Sequence, residues 1–171
     1  MLVDWFCILA WGVALAAAVG VPLYLSGVTG HMSTLASNLA AALLMVVPVT
    51  VVLALLESGP REASIGKRTR HLRVVEAVTG SRVSFRRSIL RNTMKIGVPW
   101  TIGHAAAYSI FQAGRSGSVP VSVWALTLAA YVLPVMYFVF LFVGPGRTPY
   151  DLMSSTVVIQ EVQPATSSSG R

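Results

Sequence analysis

REASIGKRTRHLRVVEAVTGSRVSFRRSILRNTMK, residues 61–95, holds ten of the thirteen Lys and Arg residues of this 171-residue chain, and long apolar stretches lie on both sides of it. Thirteen cations spread over a soluble surface would suggest nucleic acid as a partner. Bunched between membrane-length spans, they mark a loop held on the cytoplasmic side by the positive-inside bias. The block is therefore read as an orientation label, and no nucleic-acid partner is expected.

Composition agrees: 54% of residues are hydrophobic, 11% are charged and the mean hydropathy is +0.69. A soluble domain carries charge on about a quarter of its residues. Cys7 is the only cysteine, so neither an intrachain disulfide nor a CxxC metal or redox pair exists.

Four stretches reach the roughly 20 residues that a bilayer-crossing helix needs: about 3–25, 39–56, 93–113 and 121–143. The first carries only Asp4, at its start, and has no preceding Lys or Arg, so it is read as a retained helix rather than a signal peptide. The second and fourth have no charge. The third is interrupted by Lys95, His104 and Gln112, which suggests a face turned towards protein. The predicted architecture is an all-α integral membrane protein with four transmembrane helices and both termini cytoplasmic. A single domain is expected over 1–162, with a disordered tail over 163–171.

Each span holds one proline, Pro22, Pro48, Pro99 and Pro134. Proline lacks a backbone donor and frees a carbonyl, so kinks are expected, most clearly at Pro48 and Pro134. Gly12, Ala16 and Gly20, and Gly103 with Ala107, fall four apart and suggest close helix contacts.

The basic cytoplasmic loop, 57–92, has its own order. Leu72 to Ala77 alternates and is rich in valine, Thr79-Gly80-Ser81 is a turn signal, and Arg82-Val83-Ser84 reads as a short return strand, giving a small β-hairpin. From Ser84, a candidate N-cap, Phe85, Ile89, Leu90 and Met94 recur at helical spacing. This predicts an interfacial amphipathic helix whose Arg86, Arg87 and Arg91 meet anionic lipid headgroups at about 1 kcal/mol each. Gly144-Pro145-Gly146 breaks the last span, and 156–162 reads as a strand that pairs with the hairpin.

The ordered set Ser64-Ile65-Gly66-Lys67-Arg68, Leu72-Arg73-Val74-Val75, Gly80, Ser84, Arg91-Asn92, Tyr150-Asp151 and Thr156-Val157-Val158 resembles the RDD family of bacterial membrane proteins. That family is named for one arginine and two aspartates. The resemblance covers nearly the whole chain and makes Asp4 the first aspartate and Asp151 the second. The family arginine, which precedes the first aspartate in the opening helix, is absent here. Either the true start lies upstream of Met1 or this member lacks that residue. Tyr150 stands where the family often has a histidine. Proposals for the family lean towards transport.

Asp4 and Asp151 fall at the cytoplasmic interface near Lys67, Arg68, Arg87 and Arg91. Partly desolvated carboxylates need partners, so an ion-pair network is expected. One reading has it only lock the fold; the other has an aspartate bind and release a cation or proton. His104, the one strongly ionisable side chain near mid-span, either relays protons or sits neutral, bonded to a carbonyl. His31 and His71 lie in loops on opposite sides, so no three-histidine metal site is expected.

Catalysis is not expected. Between Gly59 and Lys67 six residues separate the glycines where a phosphate loop has four, and Arg68 replaces the magnesium-holding hydroxyl. GxSxG, HExxH and GxGxxG are absent, and no cofactor is implied. Two function classes remain, both multi-pass in the inner membrane. One is a small transporter or ion-translocating subunit, a homo-oligomer because four short helices enclose little space. The other is a non-catalytic scaffold whose loop binds anionic lipid or a partner membrane protein.

Overall fold

A computed structural model describes residues 2–28, 32–143 and 147–161. The Gly144-Pro145-Gly146 break, His31 and the tail expected from 163 onward lie outside these residues. Helix α1 (Leu2–Leu25) and helix α2 (Leu35–Ser58) come first. A four-residue helix α3 (Ile65–Arg68) leads into strand β1 (Leu72–Glu76). A long helix α4 then runs over 85–116, and α5 is Val121–Phe140. A short α6 (Pro149–Met153) and strand β2 (Thr156–Gln160) close the described chain.

Three of these helices, α1, α2 and α5, are long and apolar enough to cross a bilayer. They carry their apolar residues on all sides, as lipid contact requires. Helix α4 is longer than any of them, but Arg86, Arg87, Arg91 and Lys95 occupy its first third. Ser84 caps it, accepting from the Arg87 N–H at 3.5 Å, and Gly117 ends it in the left-handed region at φ 71°.

Helix α2 is the centre of the bundle. Met45, Val46, Val49, Leu53 and Ala54 are its buried hydrophobic residues, and the start of α4 packs along its last turns. The rest of α4 runs against α5. Helix α1 buries none of its residues. Its tightest approach to α2 is at Gly12, where an added Cβ would lie 3.1 Å from the Met45 methyl. The small-residue reading fits Gly12 but not the third span. Nothing lies within 4 Å of a Cβ at Gly103, and Ala107 is exposed, whereas Ala106 is buried.

The predicted hairpin is largely replaced by another pairing. β1 pairs antiparallel with β2, in the register Val74 to Val158, while the return from the Gly80 turn makes only a Val75 to Arg82 bridge. Arg82 is committed to the Ser58 carbonyl, Val83 is buried and Ser84 already caps α4. No length remains for a second loop strand, and the tail supplies it.

Three prolines follow a five-residue π turn rather than a simple kink: Ala16–Gly20 before Pro22, Ala42–Val46 before Pro48, and Thr93–Gly97 before Pro99. Pro134 lies inside the continuous α5. A proline leaves one upstream carbonyl without its donor. Trp11 Nε1 donates to the Leu44 carbonyl, four residues before Pro48, at 3.3 Å. Tyr137 Oη donates to the Met94 carbonyl, five residues before Pro99, at 2.8 Å. Neighbouring helices thus repair these breaks with aromatic donors.

Tyr137→Phe is expected to lower unfolding stability in mixed micelles by about 0.6 kcal/mol, the usual worth of an interhelical hydrogen bond in a membrane protein. In a Pro99→Ala background a backbone N–H is restored for Met94, so the same change should cost less. Strictly additive effects would refute the repair.

Candidate functional site

The basic end of the bundle is organised around Glu57, in the last turn of α2, whose side chain is fully buried. A carboxylate in that position must be paired and hydrogen-bonded or it would not remain ionised. Lys67, from α3, pairs with Oε1. Arg91 Nη1 donates to Oε2 at 2.8 Å and Asn92 Nδ2 donates to the same oxygen at 2.9 Å. Helix α4 delivers both from consecutive positions because its first turns lie against the end of α2.

Arg91 also turns to the tail. Its Nε donates to Asp151 Oδ1 at 2.7 Å. Asp151 is simultaneously the third residue of a capping box in α6: Thr148 Oγ1 donates to its Oδ2, and the Thr148 N–H does so at 3.4 Å. Thr156, at the start of β2, adds a hydroxyl at 3.3 Å. The guanidinium carbon of Arg91 lies 5.4 Å from the centre of the Tyr150 ring, and Tyr150 meets Tyr137 of α5 edge-on at 5.3 Å. One arginine therefore ties α2, α4, α5 and the tail together.

Lys67 is buried beside Arg91, and its ammonium is pulled down to about 7, first by burial and then by the Arg91 charge, against the opposing pull of Glu57.

The expected site residues separate into three groups. Lys67, Arg91 and Asp151 come together around Glu57. Asp4 is held instead by neutral donors, Ser64 Oγ at 3.0 Å and the Gly66 N–H at 2.8 Å, which dock α1 on the loop. Arg68 donates to the Ala63 carbonyl at 3.0 Å, and Arg87 pairs with Glu76 at a half-exposed position. Of the three arginines expected at lipid headgroups, Arg86 and Arg87 are exposed. Arg91 is buried with its guanidinium spent on two carboxylates, which removes it from that surface.

His104 stacks on Trp100 at 5.1 Å and faces Tyr108 at 6.1 Å, all on α4. These three line a groove of about 610 Å3 between α1, α2 and α4. A smaller cavity of about 160 Å3 lies at the basic end, walled by Asp4, Ser64, Lys95 and apolar side chains. Among the described residues no group of three or more His, Cys, Asp or Glu is placed to hold a metal ion.

Glu57, Asn92, Thr148 and Thr156 were not legible as site residues. The signal for Glu57 is that it adjoins an uncharged apolar run, one residue beyond the expected end of the second span.

The model of the RDD family matches residues 1–155. No curated protein and no solved structure matches the chain. Together with the three apolar helices, that match identifies a membrane protein with several spans.

Replacing Arg91 by Leu leaves the buried Asp151 without a cation and Glu57 with Lys67 alone, and is expected to cost about 3–5 kcal/mol of stability. Arg91→Lys should recover little of this, because one ammonium does not span both acids as the planar fork does. Denaturant unfolding of the two variants in detergent checks this, and full rescue by lysine would refute it.

Proposed function

This chain belongs to the RDD family, and from that premise and the geometry of its basic end we propose a non-catalytic transporter of four spans in the inner membrane. The first part of α4 lies at the cytoplasmic surface and 98–116 forms the remaining span; both termini are cytoplasmic, on the strength of the basic loop. The transported species is a small ion or solute that moves along the groove between α1 and α4.

One observation carries the reading. The cavity holding Asp4 and Lys95 and the groove holding His104 share Trp5, Ile8 and Trp100 as walls. Ionisable groups thus line adjoining spaces from the basic end towards mid-span, where such residues usually mark a pathway. The Glu57 cluster is the frame of this pathway, not its lining. Helix α1, with no buried residue, is the moving or oligomer-forming element.

Asp4→Asn is expected to abolish ion or solute flux in proteoliposomes while the protein stays folded and inserted. His104→Gln should reduce it at least tenfold. Wild-type flux in both variants would sink the transport reading.

A second reading, a scaffold on anionic lipid, is favoured by the exposed Arg86 and Arg87 beside the part-exposed Phe85 and Leu90 at the start of α4. Here Arg86→Gln with Arg87→Gln should weaken capture of phosphatidylglycerol nanodiscs or of a partner membrane protein severalfold. Unaltered capture would remove this reading.

A further inference from the structure

We propose that the cavity between Asp4 and Lys95 is a binding site for a small zwitterion, a molecule carrying one carboxylate and one ammonium, such as a short α-amino acid. The proposal rests on the transport reading for its setting and names the solute class of that pathway.

Two groups of opposite charge face one space and act on each other across it without touching. Asp4 takes hydrogen bonds from Ser64 and Gly66 only; its position is fixed, yet it pairs with no cation among the described residues. Lys95 lines the same cavity and makes neither a hydrogen bond nor an ion pair among the described residues. Its immediate helical neighbour Arg91, by contrast, is fully committed to Glu57 and Asp151. A cation alone would meet the repulsion of Lys95, and an anion alone that of Asp4. A ligand with both charges answers both.

Size and wall chemistry narrow the class. About 160 Å3 is close to the ~150 Å3 of a cavity that takes up benzene, which corresponds to a ligand of few heavy atoms. Between the two charges the walls are apolar or aromatic, Ile8, Leu53, Pro99 and Trp100 among them. They accept a hydrogen or methyl side chain but offer no partner to a further polar group.

The test is calorimetric titration of the full chain in nanodiscs with alanine, with acetate and methylammonium as single-charge probes. Alanine should bind, and both probes should bind at least tenfold more weakly. Lys95→Met and Asp4→Asn should each weaken alanine at least tenfold, with helicity and melting unchanged in circular dichroism. If either variant misfolds, quenching of the tryptophan emission by alanine in wild type, absent with acetate, decides the matter, since Trp5 and Trp100 are walls. Acetate binding as tightly as alanine, or alanine failing to bind wild type, overturns the proposal. Alanine binding without flux would retain the site and remove the transport reading; flux of an ion without alanine binding would do the reverse.

Discussion

A fully buried carboxylate at the end of an apolar helix is the constraint from which the basic end follows. Glu57 has no access to water, and an isolated charge in that environment is not tolerated. Neutralisation needs donors on both oxygens, and they come from two directions: Lys67 from the loop, and Arg91 with Asn92 from α4. Arg91 brings a charge of its own, and Asp151 balances it. Once Asp151 is required, α6 must dock, and β2 behind it is carried into register with β1. The two-stranded sheet, marginal alone, is held by the same chain of pairings that neutralises the core.

The spans themselves depend on a different logic. Helix α1 contributes no buried residue, so it is held by few contacts: Gly12 against Met45, Trp11 on the Leu44 carbonyl and Asp4 on the loop. All three sit at a backbone irregularity or a helix end: Met45 and Leu44 in the Ala42–Val46 π turn, Asp4 in the first turn of α1. A helix attached at points rather than along a seam is the one expected to move against its neighbours. The central α2, by contrast, is packed on its buried stripe and locked at its last turn.

Hydropathy made α1, α2 and α5 legible, because an uninterrupted apolar run is its own signal. The valine-rich strands were equally plain, and so was their pairing with the tail. The hairpin misled because Thr79-Gly80-Ser81 does form a turn, yet the three residues after it are claimed by Ser58, the core and the α4 cap. Local signals state what a segment can do; they do not state which competing partner takes it. Glu57 is hidden in the sequence for a similar reason. A charge at a span end usually faces water, and only the convergence of three distant segments reverses that. The π turns left no trace in sequence beyond the prolines that follow them.

The pairing of Arg91 with Asp151 also has a consequence in time. The two residues are 60 positions apart, and synthesis at about 5–20 residues per second separates them by roughly 3–12 seconds. Glu57, Lys67 and Arg91 therefore emerge and meet first, leaving a cluster with one more cation than it has acids. Asp151 arrives last of the four and brings the cluster to equal numbers of acids and cations, so the network closes only once the residues between Arg91 and Asp151, α5 among them, have been made.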